Sequence, residues 1–355
     1  MKITDFQIEY YESETAPFNW RDGLVGGPGG MVRQTLLRVK TDADIDGIVW
    51  LKNDAISRDI VENCLAPNFL GADPLMREQL WSLIWELDRL QEFPMYALGY
   101  LDVAVSDIAA KATGLPAYKL MGGHKSRAKA YASTVTMDTI DDYLRLADRC
   151  LEKNYKAIKL HVWGRVHDDV ALVGKLREHV GPDIELMLDG SAGYTLDESI
   201  RLGRAMEESD YLWLEEPMRE FNLYAYERLC STLDIAILGA ECTDGVHFNA
   251  AEWIQRGACD RLRTSWFFKG GFTGALKVAS LADSFQLQAD VHGCGPGALT
   301  LACAIPNTLY YESIVPEESL PDATLHGTIL PDADGWVYPE ECPGIGWDPD
   351  PSKRV

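Results

Sequence analysis

From Gly122-Gly123 onward the chain settles into a regular alternation of short apolar runs and amphipathic stretches. AKAYAST is followed by a helical pattern over 139–153, YKAIKLHV by another over 166–180, then IELMLDG, and so on to TLYYES at 308–313. Eight strand-like segments, most separated by helices, fill about 190 residues, near the size of a (β/α)8 barrel core. An open doubly wound sheet is the competing architecture. It needs a glycine-rich nucleotide turn after the first strand, and none follows AKAYAST.

At 355 residues the chain exceeds the roughly 250–300 that one hydrophobic core supports, so a smaller partner domain is expected beside the barrel. Residues 1 to about 50 read as strands: KITDFQIEYY alternates, and RQTLLRVKTDADIDGIVWL reads as a second pair around an Asp-rich turn. From Pro74 to Gly122 apolar residues recur at three and four, in EQLWSLIWELDRL and YLDVAVSDIAAKATG, with Gly114 and Pro116 as the stop. The division expected is an α+β capping domain over 1–125, the barrel over 126–324, and a Pro-, Gly- and Asp-rich segment over 325–355 that straps back across the surface.

Composition excludes several partners. A net charge of −22 repels nucleic acid and anionic membrane surfaces alike. The longest apolar stretches, such as ALTLACAI, fall far short of the ~20 residues of a membrane span. MKITDFQIEYYESE lacks the basic and apolar segments of an export signal. The eight cysteines are scattered without a CxxC pair, as expected of reduced thiols in a cytoplasm.

Three carboxylates, Asp189, Glu215 and Glu241, recur every 26 residues, each ending an apolar run: IELMLD, YLWLE and IAILGAE. That interval is one strand-plus-helix unit, so one acid per unit is expected at the same level of a parallel sheet, where a hard cation such as Mg²⁺ is held through oxygen. Even spacing arises readily by chance among 55 acidic residues; the placement at strand ends is what singles these out.

The stretch LDVAVSDIAAKATGLPAYKLMGG resembles the segment that enters the barrel in the enolase superfamily. KAIKLHV, LMLDGSAGY, WLEEP, LGAEC, KGGFTGALKVAS, YYE and the closing PGIGWD follow in the order of its mandelate racemase branch. The resemblance implies an enolase-like (β/α)8-type barrel (α/β class), with Asp189, Glu215 and Glu241 as Mg²⁺ ligands on the third, fourth and fifth strands. In WLEEP the family's ligand is the first acid, Glu215. Strand alternation turns its neighbour Glu216 to the opposite face.

A proton beside a carboxylate is removed only if the enediolate that results is stabilised, and a cation on the carboxylate does this. Lys159 and His161 are two apart on the second strand and share a face. The branch usually carries Lys-x-Lys there, and this chain has histidine at the second position. An imidazole with a reference pKa of ~6.5 acts as a base near neutrality without a large shift, and Lys159 is then a cation beside the substrate carboxylate. His292, in ADVHGCGPG, corresponds to a histidine acting on the opposite face. Its usual aspartate partner lies five residues before the glycine pair, where this chain has Ser265. His292 without that acid is expected to serve as an acid or hydrogen-bond donor, unless Asp290, two residues upstream, faces inward.

Glu312 in YYES corresponds to an acid that hydrogen bonds the substrate carboxylate. Ser191 occupies a site where some dehydratases carry a histidine, which argues against that subclass. The remaining histidines (124, 167, 179, 247, 326) read as surface residues. The glycine-rich loop from Ala16 to Met31 is the expected lid, with Asn19, Trp20 and Arg21 reading hydroxyls or a distal charge, and Trp163 forming the pocket wall. The expected activity is Mg²⁺-dependent dehydration of a sugar acid. A racemase, epimerase or lactone cycloisomerase, or a barrel that binds without turnover, is the alternative. A homo-oligomer, dimer or octamer, follows from the resemblance.

Overall fold

The computed structural model describes residues 1–355 except 16, 22–26, 28, 53, 94 and 316–328. The alternating amino-terminal segments form an antiparallel sheet of β1 (Ile3–Thr15), β2 (Gly30–Thr41) and β3 (Gly47–Leu51), in that order. The Asp-rich turn joins β2 to β3 as its composition predicts. Leu37, Val39 and Val49 are fully buried against the helices that follow. Of these, Tyr100–Thr113 is buried at every residue from Tyr100 to Ala110, and it stops at Gly114 with a left-handed φ of 68°, a conformation glycine adopts without strain.

Each predicted barrel strand is present: β4 (Ala128–Thr134), β5 (Ala157–His161), β6 (Glu185–Asp189), β7 (Tyr211–Glu215), β8 (Ala236–Gly239), β9 (Arg261–Thr264), β10 (Gln288–Val291) and β11 (Tyr310–Val315). They pair in parallel in the order β11-β4-β5-β6-β7-β8-β9-β10. β10 and β11 touch without a ladder between them among the described residues, so the barrel curls closed around one unzipped seam. Helices Ile140–Glu152 and Val166–Val180 follow the predicted ranges, the first begun by a Thr139 and Asp142 capping box.

In the carboxyl-terminal segment the described residues resume at 329. β12 (Trp336–Val337) adds antiparallel to β4, Gly344 accepts from Ala117 N, and Arg354 bridges to Tyr11 of β1. No described helix is long and apolar enough to cross a membrane.

The capping helix Tyr100–Thr113 is fastened to the barrel at one turn. A side chain at Gly99 would lie 2.5 Å from the Gly270 carbonyl carbon, so the two backbones meet only because Gly99 has none. Asp102 accepts hydrogen bonds from Thr273 N (2.9 Å) and Thr273 Oγ1 (2.5 Å), capping the helix Phe272–Ser284. Burial pushes the Asp102 carboxyl up to about 6, against the pull of those donors and Arg77.

Candidate active site

The barrel is floored by Tyr131, Met187, Trp213, Leu238 and Tyr310, packed edge to face. Above this apolar plug lies a layer of buried charge. Lys159 Nζ is 2.9 Å from Glu215 Oε2, 2.9 Å from Glu312 Oε1 and 3.3 Å from Asp189 Oδ2. Burial alone lowers the pKa of Lys159, but Glu215, Glu312 and Tyr131 raise it well above the ordinary lysine value, so the side chain is a fixed cation.

A second cation shares the layer, and the sequence reading missed it. Arg263 Nε is 2.6 Å from Glu215 Oε1 and 3.4 Å from Glu241 Oε2, while Nη2 reaches Glu312 Oε2 at 3.2 Å and the Tyr131 hydroxyl at 3.0 Å. Its signal was its place two residues before Ser265 on β9, the same inward face by period two. Burial, Asp189 and Glu241 push the Glu215 carboxyl up, against Arg263 and Lys159. With a cation on each oxygen, the ionised form is the one this geometry satisfies. Burial raises Glu312 but Lys159, Arg263 and His292 hold it well below the usual carboxylate range.

The register places His161, Asp189 and Glu215 side by side across β5, β6 and β7. Glu241 departs from the expected common level. Glu215 pairs with Leu238, and β8 ends at Gly239, so Glu241 rides on the loop beyond, after Ala240 at a φ of 65°. Lys269 holds that loop, its ammonium donating to the carbonyls of Ala240 (2.5 Å), Glu241 (2.9 Å) and Thr243 (3.2 Å). Alternation also fails at Glu216, where a φ of 25° just past β7 turns the side chain back. Its carboxylate, that of Glu241 and the Cys242 thiol lie within 4.8 Å of one another. Burial and the like charges of Glu241 and Asp189 raise Glu216 well above the usual carboxylate value. The expected ligands Asp189, Glu215 and Glu241 are therefore joined by a fourth acid.

This donor set suits a hard divalent ion: carboxylate oxygens, those of Asp189, Glu215 and Glu241 buried, with Glu241 Oε2 met by Arg263 and His292 as charges at 3.4 and 3.0 Å and not in hydrogen-bonding geometry. Asp189 is oriented by Ser191, whose N and Oγ donate to Oδ1 at 2.8 and 2.9 Å.

The two histidines flank the acids. His161 Nδ1 lies 2.5 Å from the Thr134 carbonyl, which can only accept, so Nδ1 is a donor; Nε2 faces the site, 3.0 Å from Asp189 Oδ2, a contact that is a hydrogen bond only while Nε2 is protonated as well. Trp20, in the segment expected as the lid, packs tilted against the His161 ring at 4.4 Å. His292 Nδ1 is 3.0 Å from Glu241 Oε2 and 3.7 Å from Glu312 Oε2. Asp290 is no partner for it. That acid sits lower on β10 and holds Arg261 through both oxygens, at 2.7 and 3.1 Å. Ser265 instead shapes a turn, its Oγ accepting from Phe267 N and Phe268 N, and Phe268 packs against His292 at 5.0 Å.

Seven residues of the expected lid, at 16, 22–26 and 28, lie outside the described residues. Asn19 bridges to Thr136 and reaches Asp138, and Arg21 N donates to Thr136 Oγ1. The Arg21 side chain runs past Gly164 and Gly193, and its Nε has no hydrogen-bond partner. Trp163 is packed against Tyr143, and its indole N–H is spent on the Met137 carbonyl. Of the remaining histidines, 167 and 179 are exposed and paired with Arg201 and Asp148, 124 is exposed, 247 stacks on Trp81 and Phe248, and 326 lies outside the described residues.

Comparison with known proteins agrees with this architecture. The enolase C-terminal domain-like family matches residues 142–353, and the mandelate racemase/muconate lactonizing enzyme N-terminal domain matches residues 29–122. A D-galactarolactone cycloisomerase of Agrobacterium fabrum is 30% identical over 64% of the chain and 62% of its own length. A D-galactonate dehydratase family member of Cellvibrio japonicus is 26% identical over 88% of the chain and 89% of its own length. The crystal structure of D-glucarate dehydratase from Agrobacterium tumefaciens complexed with magnesium superposes with a TM-score of 0.92 at 32% identity, covering 100% of this chain and 99% of that one.

Proposed function

The chain belongs to the mandelate racemase/muconate lactonizing enzyme branch of the enolase superfamily, and from that premise we propose that it is a Mg²⁺-dependent lyase that dehydrates a sugar acid. The observation that carries the reading is the seating of two histidines on separate edges of one acid cluster, His161 against Asp189 and His292 against Glu241. Asp189, Glu215 and Glu241 are the proposed metal ligands, with Glu216 beside Glu241. Mg²⁺ bound there supplies positive charge for the substrate carboxylate as the carbon beside it turns carbanionic.

The protein groups divide the remaining work. Lys159, backed by Glu312 and Ser133, offers a fixed ammonium to the same carboxylate. His161 Nε2 takes the proton from the carbon beside it, its tautomer set by the Thr134 carbonyl. Hydroxide leaves the adjacent carbon with a proton from His292, and the enol that remains tautomerises, so one water is lost and a 2-keto-3-deoxy acid forms. Elimination asks for one base and one acid, which matches a His292 that lacks its own dyad aspartate.

A lactone cycloisomerase or an epimerase is the second reading, favoured by the cycloisomerase among the relatives and by the presence of two histidines. Incubating sugar acids with the protein and Mg²⁺ in D₂O separates the two. Formation of a 2-keto acid with loss of water supports the lyase. Exchange with inversion, or ring opening without loss of water, overturns it. If the wild type consumes no acid and an Asp189→Asn variant binds acids equally well, the enzyme reading itself fails. A cytoplasmic homo-oligomer belongs to the same proposal, in keeping with eight cysteines that are all unbonded.

A further inference from the structure

One cation at the barrel mouth comes from the capping domain and has no partner in the machinery above. Lys52 directly follows β3, its backbone pinned by the Tyr100 hydroxyl on Lys52 N (3.1 Å) and by Ser57 Oγ on its carbonyl. Its ammonium lies 4.4 Å from the Phe267 ring centroid and 5.3 Å from that of Phe268, the ring that also packs against His292. The residue is exposed to solvent, while the protein packed around its ammonium lowers its pKa, opposed by Glu241 and Glu312 of the acid cluster. Among the described residues no acid forms an ion pair with it.

A cation held over aromatic faces is positioned without being neutralised. Lys159 and the acid cluster already account for one substrate carboxylate. The site around them is dense in buried carboxylates, so a second negative charge on the substrate would be repelled unless a cation met it at the mouth. A hydroxyl at that end would not need an unpaired ammonium.

We propose that Lys52 binds a second carboxylate at the far end of the substrate, making the preferred acid a dicarboxylic sugar acid. This rests on the sugar-acid reading above and narrows it. Arg21, whose Nε has no hydrogen-bond partner, lies beside Gly164 and Gly193 and serves as the comparison.

The test is kcat/KM with Mg²⁺ for matched pairs of acids, galactarate against galactonate and glucarate against gluconate, with 6-phosphogluconate as a third arm. The wild type is expected to prefer a diacid at least tenfold. Lys52→Met should shrink that ratio at least tenfold, chiefly through KM, while Lys52→Arg keeps it. Circular dichroism confirms that each variant is folded, with Lys52→Gln replacing a Met variant that is not. An unchanged ratio in Lys52→Met overturns the proposal, as does a ratio that moves only in Arg21→Met. Preference for 6-phosphogluconate over glucarate overturns the carboxylate assignment. If none of these acids is consumed, the sugar-acid lyase reading has failed and calorimetric binding of the same pairs decides the role of Lys52. Equal affinity for diacid and monoacid then overturns it.

Discussion

Arg263 Nε lies 2.6 Å from Glu215 Oε1, and neither side chain is more than 1% exposed. A buried pair of this kind contributes little net stability, but breaking it strands a charge at a cost of roughly 3–5 kcal/mol. Arg263→Met should therefore lower the unfolding free energy by about that amount in urea titration. The double variant Arg263→Met/Glu215→Gln should recover part of the loss. A change below ~1 kcal/mol in the single variant would show that water solvates this layer.

His161 and His292 are predicted to fail in different ways. Replacing a general base costs about 10²- to 10⁴-fold. His161→Asn should slow wash-in of deuterium at the carbon beside the carboxylate by that factor, and dehydration with it. His292→Asn should leave wash-in measurable while loss of water falls. Equal loss of both signals in both variants would refute the division into base and acid.

Calorimetric Mg²⁺ titration tests the acids. Asp189→Asn, Glu215→Gln and Glu241→Gln should weaken binding beyond the roughly 10- to 100-fold typical of groups outside the first ring of ligands, and Glu216→Gln should stay within it. The reverse order for Glu215 and Glu216 would reassign the ligand, as the turned backbone at Glu216 allows.

Asp102 makes folding stability depend on pH in the opposite sense to a salt-bridged carboxylate. Its folded value, about 6, lies above the ordinary 3.8, so the folded state binds the proton more tightly. Its contribution is complete below pH ~4 and is lost as pH rises through about 6. Asp102→Asn should remove this slope. The stability of the variant relative to wild type should improve across that window by up to ~3 kcal/mol, measured by thermal unfolding at pH 4, 5, 6 and 7. A constant difference over the range would mean that Asp102 stays ionised in the fold.

The barrel was legible because its signal is local. Each strand is a short apolar run, and helix Val166–Val180 lies where its periodicity sets it. Register made Asp189 and Glu215 legible too, since both end strands that pair directly. Glu241 was seen as an acid but misplaced in height, because the strand before it stops two residues early and a lysine 28 positions away holds the loop. Arg263 escaped notice since nothing near it in sequence reveals that Tyr131, 132 positions away, and Glu312 are its partners. Glu216 went astray for a backbone reason: alternation ends with the strand, and a positive φ one residue later reverses the expected side.

The strap ties the two domains to each other. Two buried acids of the capping domain receive it: Asp107, which also holds Ile48 N and Lys111, accepts from Ile345 N at 2.9 Å, and Glu9, paired with Arg38, faces Arg354 at 3.4 Å. Val355 N donates to the Tyr10 carbonyl of the first strand. The same segment pairs β12 with β4 of the barrel, so one length of chain is stitched into both sheets, and loosening it at either end unfastens a contact of the other domain.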